Sequence, residues 1–181
     1  MALERWMDGP VGTLRLVAED GALVAVSVEE RRAAKAEGPT PGDPLLDEAV
    51  RQLGAWFRGE RLDFELPLRP RGSAFQLAVW ERLRCIPFGE TRSYGEIAAA
   101  LGSPRAVRAV GAANARNPLA IIVPCHRVIG ASGALTGYAG GLGRKRWLLR
   151  HEREVLARSG RAPAPSGAQG CLPYPPAPAR P

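Results

Sequence analysis

Residues 93–115 read SYGEIAAALGSPRAVRAVGAANA, and this stretch predicts two short helices joined by a tight turn. The first helix is indicated by Ser93 and Glu96, because a serine followed three residues later by a glutamate forms a capping box. We expect this helix to open with Tyr94 and to end near Leu101.

The turn between the two helices is marked by Gly102, Ser103 and Pro104. Glycine commonly ends a helix, serine caps the next one, and proline fits the first position of that next helix. We therefore expect the second helix to begin at Pro104 and to run to about Ala115. Two short helices with a tight glycine-containing turn form a helix-turn-helix pattern.

The second helix consists mostly of alanine, valine and glycine. A helix that reads base edges in the major groove carries Asn, Gln, Arg or Ser at its contact positions, whereas small side chains allow a close approach to the minor groove. Arg105 and Arg108 are three residues apart and would share one face, where one could hold a phosphate and the other could enter the base stack. The alternative is a core helix with two surface arginines.

Residues 121–128 read IIVPCHRV and place Cys125 beside His126. A thiol attacks as its thiolate, so a nucleophilic cysteine needs a base or a positive charge nearby. The pair alone is also compatible with a cysteine hydrolase or with a buried structural thiol. The second histidine, His151, is expected on the surface of a closing helix.

The composition suits one or two small domains with a hydrophobic core, since 45% of the 181 residues are apolar. No apolar run approaches the ~20 residues of a membrane span, so we expect no membrane contact. The three cysteines form neither a disulfide framework nor a zinc pattern, and they favour a reduced, cytoplasmic setting. We expect neither a metal site nor a cofactor.

Charge is divided unevenly along the chain. Residues 1–70 carry a net charge of −4, residues 71–158 a net charge of +9, and the whole chain +7. A basic half beside an acidic half suggests that only residues 71–158 face a polyanion such as nucleic acid.

The first part of the chain, residues 1–70, is predicted to be a small α/β scaffold domain. Val11–Val17 and Leu23–Val28 are typical of strands, and the Asp20-Gly21 pair between them is a preferred hairpin turn.

A helix should follow the hairpin, capped by Asp43 or Asp47 and running to about Arg58, and Arg61–Leu66 is predicted to be another strand. Residues 71–158 would form the helix-turn-helix domain. Residues 159–181 are rich in Pro, Ala and Gly and are predicted to be a disordered tail.

Further residues surround the cysteine in a specific order. Asn117-Pro118 precedes Pro124-Cys125-His126-Arg127, Tyr138-Ala139-Gly140-Gly141 follows it, and Glu152 comes later. Together these motifs resemble the O6-alkylguanine-DNA alkyltransferases, which move an alkyl group from damaged DNA onto their own cysteine. The resemblance covers residues 73–153. It implies a ribonuclease-H-like α/β N-terminal domain followed by a mostly α, winged helix-turn-helix C-terminal domain.

The resemblance also implies the chemistry. Cys125 would attack the alkyl carbon, His126 would act as its base through a bridging water, and Glu152 would orient His126. Asn117 would support the hinge before the active-site loop. Because the thioether product has no easy route back to a thiol, each molecule would react once.

For DNA binding, the resemblance implies that Arg108 fills the space left by a flipped nucleotide. Tyr94 would crowd the phosphate of that nucleotide and help to turn it outward. Arg105, Ala115 and Arg116 complete the expected DNA contacts.

For the base itself, the resemblance implies that Tyr138 packs against the ring and that the backbone N–H at Ala139 donates to O6. The carbonyl groups of Cys125 and Val128 would accept from the guanine amino group, and the Tyr94 hydroxyl would serve ring N3. Asn114 stands where relatives often have an apolar residue against the base.

The expected partner is double-stranded DNA that contains O6-alkylguanine, with O4-alkylthymine left open as a second substrate. We expect a monomer, and cooperative binding to DNA stays open. The alternatives are the cysteine hydrolase and a protein that only binds lesions, although lesion-binding relatives lack the cysteine.

Overall fold

The computed structural model describes residues 2–29 and 42–161. In its described residues, the N-terminal unit contains an antiparallel sheet with the strand order β1-β2-β3 and one helix. Its elements are β1 (Ala2–Gly9), β2 (Gly12–Glu19), β3 (Ala22–Glu29) and α1 (Pro44–Phe57). The predicted tail lies outside the described residues from residue 162 onward.

The C-terminal unit is mostly helical. Its elements are α2 (Ala74–Arg84), β4 (Arg92–Ser93), α3 (Tyr94–Ala100), α4 (Val107–Ala115), a 3₁₀ turn (Cys125–Arg127), β5 (Val128–Ile129) and α5 (Leu142–Ser159). The short strands β4 and β5 pair in parallel. Helix α5 ends one residue beyond the domain boundary expected at residue 158.

The predicted hairpin is confirmed as β2 and β3. Asp20 and Gly21 both have positive φ angles, 46° and 72°, which is the conformation that an Asp-Gly hairpin turn adopts. Strand β1 was not predicted; it is an edge strand on which every second residue is exposed.

The strand predicted at Arg61–Leu66 is wrong, because this segment forms no ladder. The backbone of Glu65 is instead paired with the side chain of Gln52, whose Oε1 accepts from Glu65 N at 2.9 Å and whose Nε2 donates to Glu65 O at 3.1 Å. The helix before it is confirmed: Asp43 caps α1 by accepting from Leu46 N at 2.9 Å.

Helices α2, α3 and α4 pack against one another. Ser93 and Glu96 form the predicted capping box, with Glu96 N donating to Ser93 Oγ at 3.1 Å. The start predicted for α4 is wrong, because residues 103–106 form a turn closed by Ala106 N and Ser103 O at 2.8 Å. The helix begins at Val107, and no side chain caps it.

The sheet holds the segment that leads to the cysteine. Val26 N of β3 donates to Pro118 O at 2.8 Å, and Ala120 N donates to Val26 O at 2.9 Å. The hydrophobic core continues from the sheet and α1 through Leu119 into the helices. The N-terminal unit therefore helps to hold the segment that leads to Cys125.

Residues 2–29 and 42–161 contain no helix that combines the length and the apolar character needed to cross a membrane. The same residues contain no group of three His, Cys, Asp or Glu side chains that could hold a metal ion.

The contact between sheet and loop can be tested by removing its core residue. Leu119 is fully buried, so Leu119→Ala should lower the free energy of unfolding by about 2–5 kcal/mol, as large-to-small core substitutions do. Leu142→Ala is the matched control, because Leu142 is 43% exposed and its loss should change the free energy by less than about 0.5 kcal/mol. Chemical denaturation measures both, and equal values would contradict this packing.

Candidate active site

Cys125 lies at the start of the 3₁₀ turn that follows a buried loop, residues 119–124. Its side chain is buried, and it is a free thiol. Within the loop, Ile121 has a φ of +71°, which is rare for a β-branched residue. Such a conformation persists only where the surrounding contacts impose it, and here they bring the chain to Cys125.

Asn117 imposes part of this loop shape. Its Oδ1 accepts from Leu119 N at 3.0 Å, and its Nδ2 donates to Val123 O at 2.8 Å. The side chain therefore ties both ends of the loop together, and its polar group acts to lower the pKa of the Cys125 thiol.

The thiol of Cys125 is held in its neutral form at rest. Burial raises its pKa above the ordinary value, and the polar group of Asn117 and the charge of Lys145 only partly oppose this. A nucleophilic role therefore requires a nearby base that takes the proton.

His126, the residue directly after Cys125 in the chain, forms a buried pair with Glu152. His126 Nε2 lies 2.7 Å from Glu152 Oε1, and both side chains are fully buried. Burial lowers the pKa of His126, against the opposing attraction of Glu152. Burial raises the pKa of Glu152, but the charges and hydrogen bonds of Arg127 and His126 outweigh it and lower the pKa to about 2.

Arg127 belongs to this cluster as well, which was not predicted from the sequence. Its Nε lies 3.0 Å from each carboxylate oxygen of Glu152, and its Nη1 donates to Ile86 O at 2.6 Å. Gly89 N also donates to Glu152 Oε2, at 2.7 Å. An arginine in the sequence is ordinarily a surface residue, and its position next to the histidine was the only signal of this role.

Lys145 was also missed. It is fully buried, and its Nζ donates to Val128 O at 2.5 Å and to Thr136 O at 2.9 Å. Burial lowers its pKa, while the negative charge that forms on Cys125 would raise it. The ammonium group thus brings a positive charge near the sulfur.

A segment from Thr136 to Gly141 contacts residues next to the site through Thr136, whose carbonyl group accepts from Tyr94 and Lys145. The Tyr94 hydroxyl donates to Thr136 O at 3.0 Å, so in this structure it secures the segment. Tyr138 is placed near the thiol: burial raises its pKa well above the usual value, and a charge on Cys125 adds to this effect. Ala139 is exposed.

The structure places the other expected pocket residues close to the cysteine. Asn114 is buried on α4, and its Nδ2 lies 3.4 Å from Cys125 O. Val128 is buried, and its carbonyl group is the one that accepts from Lys145. The carbonyl oxygens of Cys125 and Val128 thus have intramolecular partners here, although each has a second lone pair.

One face of helix α4 is exposed to solvent and carries mostly small side chains. Val110, Ala113 and Asn114 are buried, whereas the exposed positions are Val107, Arg108, Ala109, Ala112 and Ala115, followed by Arg116. Arg105 is exposed in the turn before the helix. The expected DNA-contacting residues on and beside α4 are therefore all exposed to solvent.

Family models match nearly all of the described chain. The model described as "6-O-methylguanine DNA methyltransferase, ribonuclease-like domain" matches residues 3–70, and the one described as "6-O-methylguanine DNA methyltransferase, DNA binding domain" matches residues 74–154. The chain belongs to the 6-O-methylguanine DNA methyltransferase family.

Individual family members agree with this assignment. The chain is 53% identical over 150 residues to the methylated-DNA–protein-cysteine methyltransferase of Mycolicibacterium paratuberculosis, covering 82% of this chain and 91% of the relative. The crystal structure of the Mycobacterium tuberculosis O6-methylguanine methyltransferase superimposes with a TM-score of 0.75 at 49% identity, covering 85% of this chain and 94% of the other. The crystal structure of Mycobacterium tuberculosis OGT in complex with DNA gives a TM-score of 0.76 at 51% identity, with 84% and 93% covered.

The expectation for His151 is wrong. It is buried, its Nε2 lies 3.0 Å from Trp56 O, and its ring stacks on Trp147 at a centroid distance of 5.0 Å. The histidine joins α5 to α1. The sequence pattern of α5 alone does not reveal this contact, because its partner, Trp56, lies far away in the chain.

The buried carboxylate can be tested by removing its charge. Glu152→Gln should lower the free energy of unfolding by about 3 kcal/mol or more, because Arg127 would be left buried without its counterion. Glu154→Gln, at an exposed position of the same helix, is the matched control and should have little effect.

The difference in the free energy of unfolding between the unmodified protein and Glu152→Gln should decrease at low pH. Because folding lowers the pKa of Glu152 to about 2, its stabilisation is complete above the unfolded value near 4.5 and is lost as the pH falls toward 2. The difference between the unmodified protein and Glu152→Gln should therefore shrink over that range. A difference that stays constant from pH 6 to pH 2.5, measured by denaturation, would contradict the assignment.

Proposed function

We propose that this protein repairs DNA by direct reversal, transferring the alkyl group of O6-alkylguanine to its own Cys125. One observation carries the proposal: a buried free thiol lies beside a buried His–Glu pair, and the adjoining helix α4 exposes small side chains and arginines. A nucleophile, its base and a DNA-facing surface are thereby combined in one unit.

The reaction is a displacement at the alkyl carbon. The bond from sulfur to carbon forms while the bond from carbon to O6 breaks, and guanine leaves with the electron pair. The proton of Cys125 passes to His126, with a water as the bridging group, and then becomes available to the leaving guanine. The thioether is stable, so the protein is consumed in one turnover.

The Thr136–Gly141 segment would cover the base. Tyr138 would pack on its ring, and the backbone amide at Ala139 would stabilise the charge on O6. For the Tyr94 hydroxyl to serve ring N3, it must exchange its bond to Thr136 O for one to the base. The carbonyl groups of Cys125 and Val128 would read the guanine amino group, and Asn114 would border the pocket.

DNA would bind on the exposed face of α4. A base inside a duplex must be extruded before the buried thiol can reach it, which costs a few kcal/mol. Arg108 would fill the vacated stack and offset part of this cost. Arg105, Ala115 and Arg116 would contact the backbone, where the small side chains of α4 allow entry to the minor groove.

The finer structural assignments belong to the same proposal. We assign the N-terminal unit to the ribonuclease-H-like class and the C-terminal unit to the winged helix-turn-helix class. The protein would act as a monomer on double-stranded DNA, without a cofactor, and in the cytoplasm. Cooperative binding along DNA is compatible with this arrangement.

The role of the sulfur is tested with Cys125→Ser. A serine hydroxyl is a far weaker nucleophile at neutral pH, so transfer from an O6-methylguanine duplex should be abolished while binding to the duplex is retained. Transfer is measured by the loss of the lesion from the oligonucleotide, and binding by a mobility shift. Undiminished transfer, or several turnovers with regenerated thiol as in a hydrolase, would overturn the proposal.

The role of Arg108 is tested by comparing two substrates. Arg108→Ala should slow repair of duplex DNA by about tenfold or more, if the side chain recovers about 1.4 kcal/mol of the unstacking cost. Reaction with free O6-benzylguanine should be unchanged, because the free base needs no extrusion. Arg153→Ala, an exposed arginine on α5, is the control. Equal losses on both substrates would argue against the proposed role.

A further inference from the structure

The carboxylate of Glu152 receives more donors than an orienting role for His126 requires. Arg127 reaches both oxygens through Nε at 3.0 Å and reaches Oε1 again through Nη2 at 2.9 Å. Gly89 N donates to Oε2 at 2.7 Å, and His126 Nε2 lies 2.7 Å from Oε1. The carboxylate is fully buried among these donors, so it is held in a single orientation.

This arrangement determines which nitrogen of His126 carries the proton. Because Glu152 is ionised, it can only accept, so Nε2 must be the donor. In the neutral imidazole, Nδ1 is then an acceptor. Nδ1 is buried and forms no hydrogen bond with any residue of the described part of the chain. It is therefore the ring atom that can take a proton.

The charge of Glu152 must be balanced inside the protein, and two groups could do this. Protonated His126 could do so, but it would then have no capacity to accept the proton of Cys125. Arg127 is permanently charged and its planar fork matches a carboxylate, so it can balance the charge without engaging Nδ1.

The guanidinium group of Arg127 also has contacts other than those with Glu152. Its Nη1 donates to Ile86 O at 2.6 Å, and its guanidinium carbon lies 5.6 Å from the centre of the Phe88 ring. The turn after α2 thus supplies a carbonyl anchor through Ile86 and a cation–π contact through Phe88. Neither of these two contacts involves the reacting groups, so they can hold the guanidinium throughout the reaction.

We propose that Arg127 is a positioning residue that balances the charge of Glu152 and thereby leaves His126 neutral, with Nδ1 ready to accept the proton of Cys125. The role of this proton transfer in the reaction rests on the proposed function. Before the proton moves, the negative charge of Glu152 is balanced by the positive charge of Arg127. After it moves, the negative charges of Glu152 and the thiolate are balanced by the positive charges of Arg127 and the imidazolium. The transfer therefore leaves the net charge of the cluster unchanged.

The remaining groups around His126 agree with this role. Lys145 of α5 is a second positive charge that disfavours imidazolium, and burial acts in the same direction. His151 of α5 and His126 both contact the ring of Trp56, and the Nε2 of His151 is engaged with Trp56 O. Glu152 is the group that favours imidazolium, and Arg127 opposes it directly.

The test compares the full-length protein with Arg127→Gln, Arg127→Lys and the control Arg150→Gln. Arg150 is exposed on α5 and pairs only with Glu154 among the described residues. Two quantities are measured: the titration of His126 by NMR of its ring nitrogens, and the rate of reaction with free O6-benzylguanine from pH 5 to pH 9. The free base makes the rate independent of DNA binding.

Arg127→Gln should raise the pKa of His126 and move the acid limb of the rate profile to higher pH by the same amount. If the midpoint rises by about one pH unit, the reaction should slow about tenfold at a pH below both midpoints and recover at high pH. Arg127→Lys should keep the midpoint close to that of the unmodified protein, because it retains the charge. Arg150→Gln should match the unmodified protein in both measurements.

An unchanged His126 titration in folded Arg127→Gln would overturn the proposal. If that variant does not fold, the nitrogen chemical shifts of His126 in the unmodified protein provide the test. We expect a neutral ring with its proton on Nε2. An imidazolium at pH 7, or a neutral ring with its proton on Nδ1, would overturn the proposal. Failure of the proposed function can be distinguished from failure of this proposal. If the protein does not transfer alkyl groups, no reaction is seen at any pH, but the titration of His126 can still be measured.

Discussion

The buried carboxylate of Glu152 is the interaction on which the rest of the site depends. It joins three separate parts of the chain: α5, the turn after α2 through Gly89, and the 3₁₀ turn through His126 and Arg127. An uncompensated buried charge would cost several kcal/mol, so these partners must stay together in the folded state. The same contacts hold the His126 ring in one orientation.

The position of the cysteine depends on a second, mostly backbone-based constraint. Val26 of β3 binds the chain at Pro118 and Ala120, and the side chain of Asn117 ties the loop to itself. Cys125 follows this hydrogen-bonded segment, which limits where its sulfur can lie, and burial raises the pKa of the thiol. The N-terminal sheet thus limits the freedom of the loop that leads to Cys125.

Local patterns in the sequence predicted those features that depend on neighbouring residues. The capping box at Ser93 and the Asp20-Gly21 turn are local signals, and both are confirmed. Arg127, Lys145 and His151 could not be placed in this way, because charged and polar side chains are usually exposed and their partners lie far away in sequence. Their burial is decided by tertiary contacts: the carboxylate of Glu152, two carbonyl groups, and Trp56 O, respectively.

The central claim is that Cys125 is the terminal acceptor of an alkyl group. The most direct measurement is the intact mass of the protein after incubation with a duplex that contains one O6-methylguanine, followed by peptide mapping. We expect a gain of one methylene group, located on Cys125 and saturating at one per chain with excess DNA. An unchanged mass while the lesion disappears, or a modification located elsewhere, would contradict it.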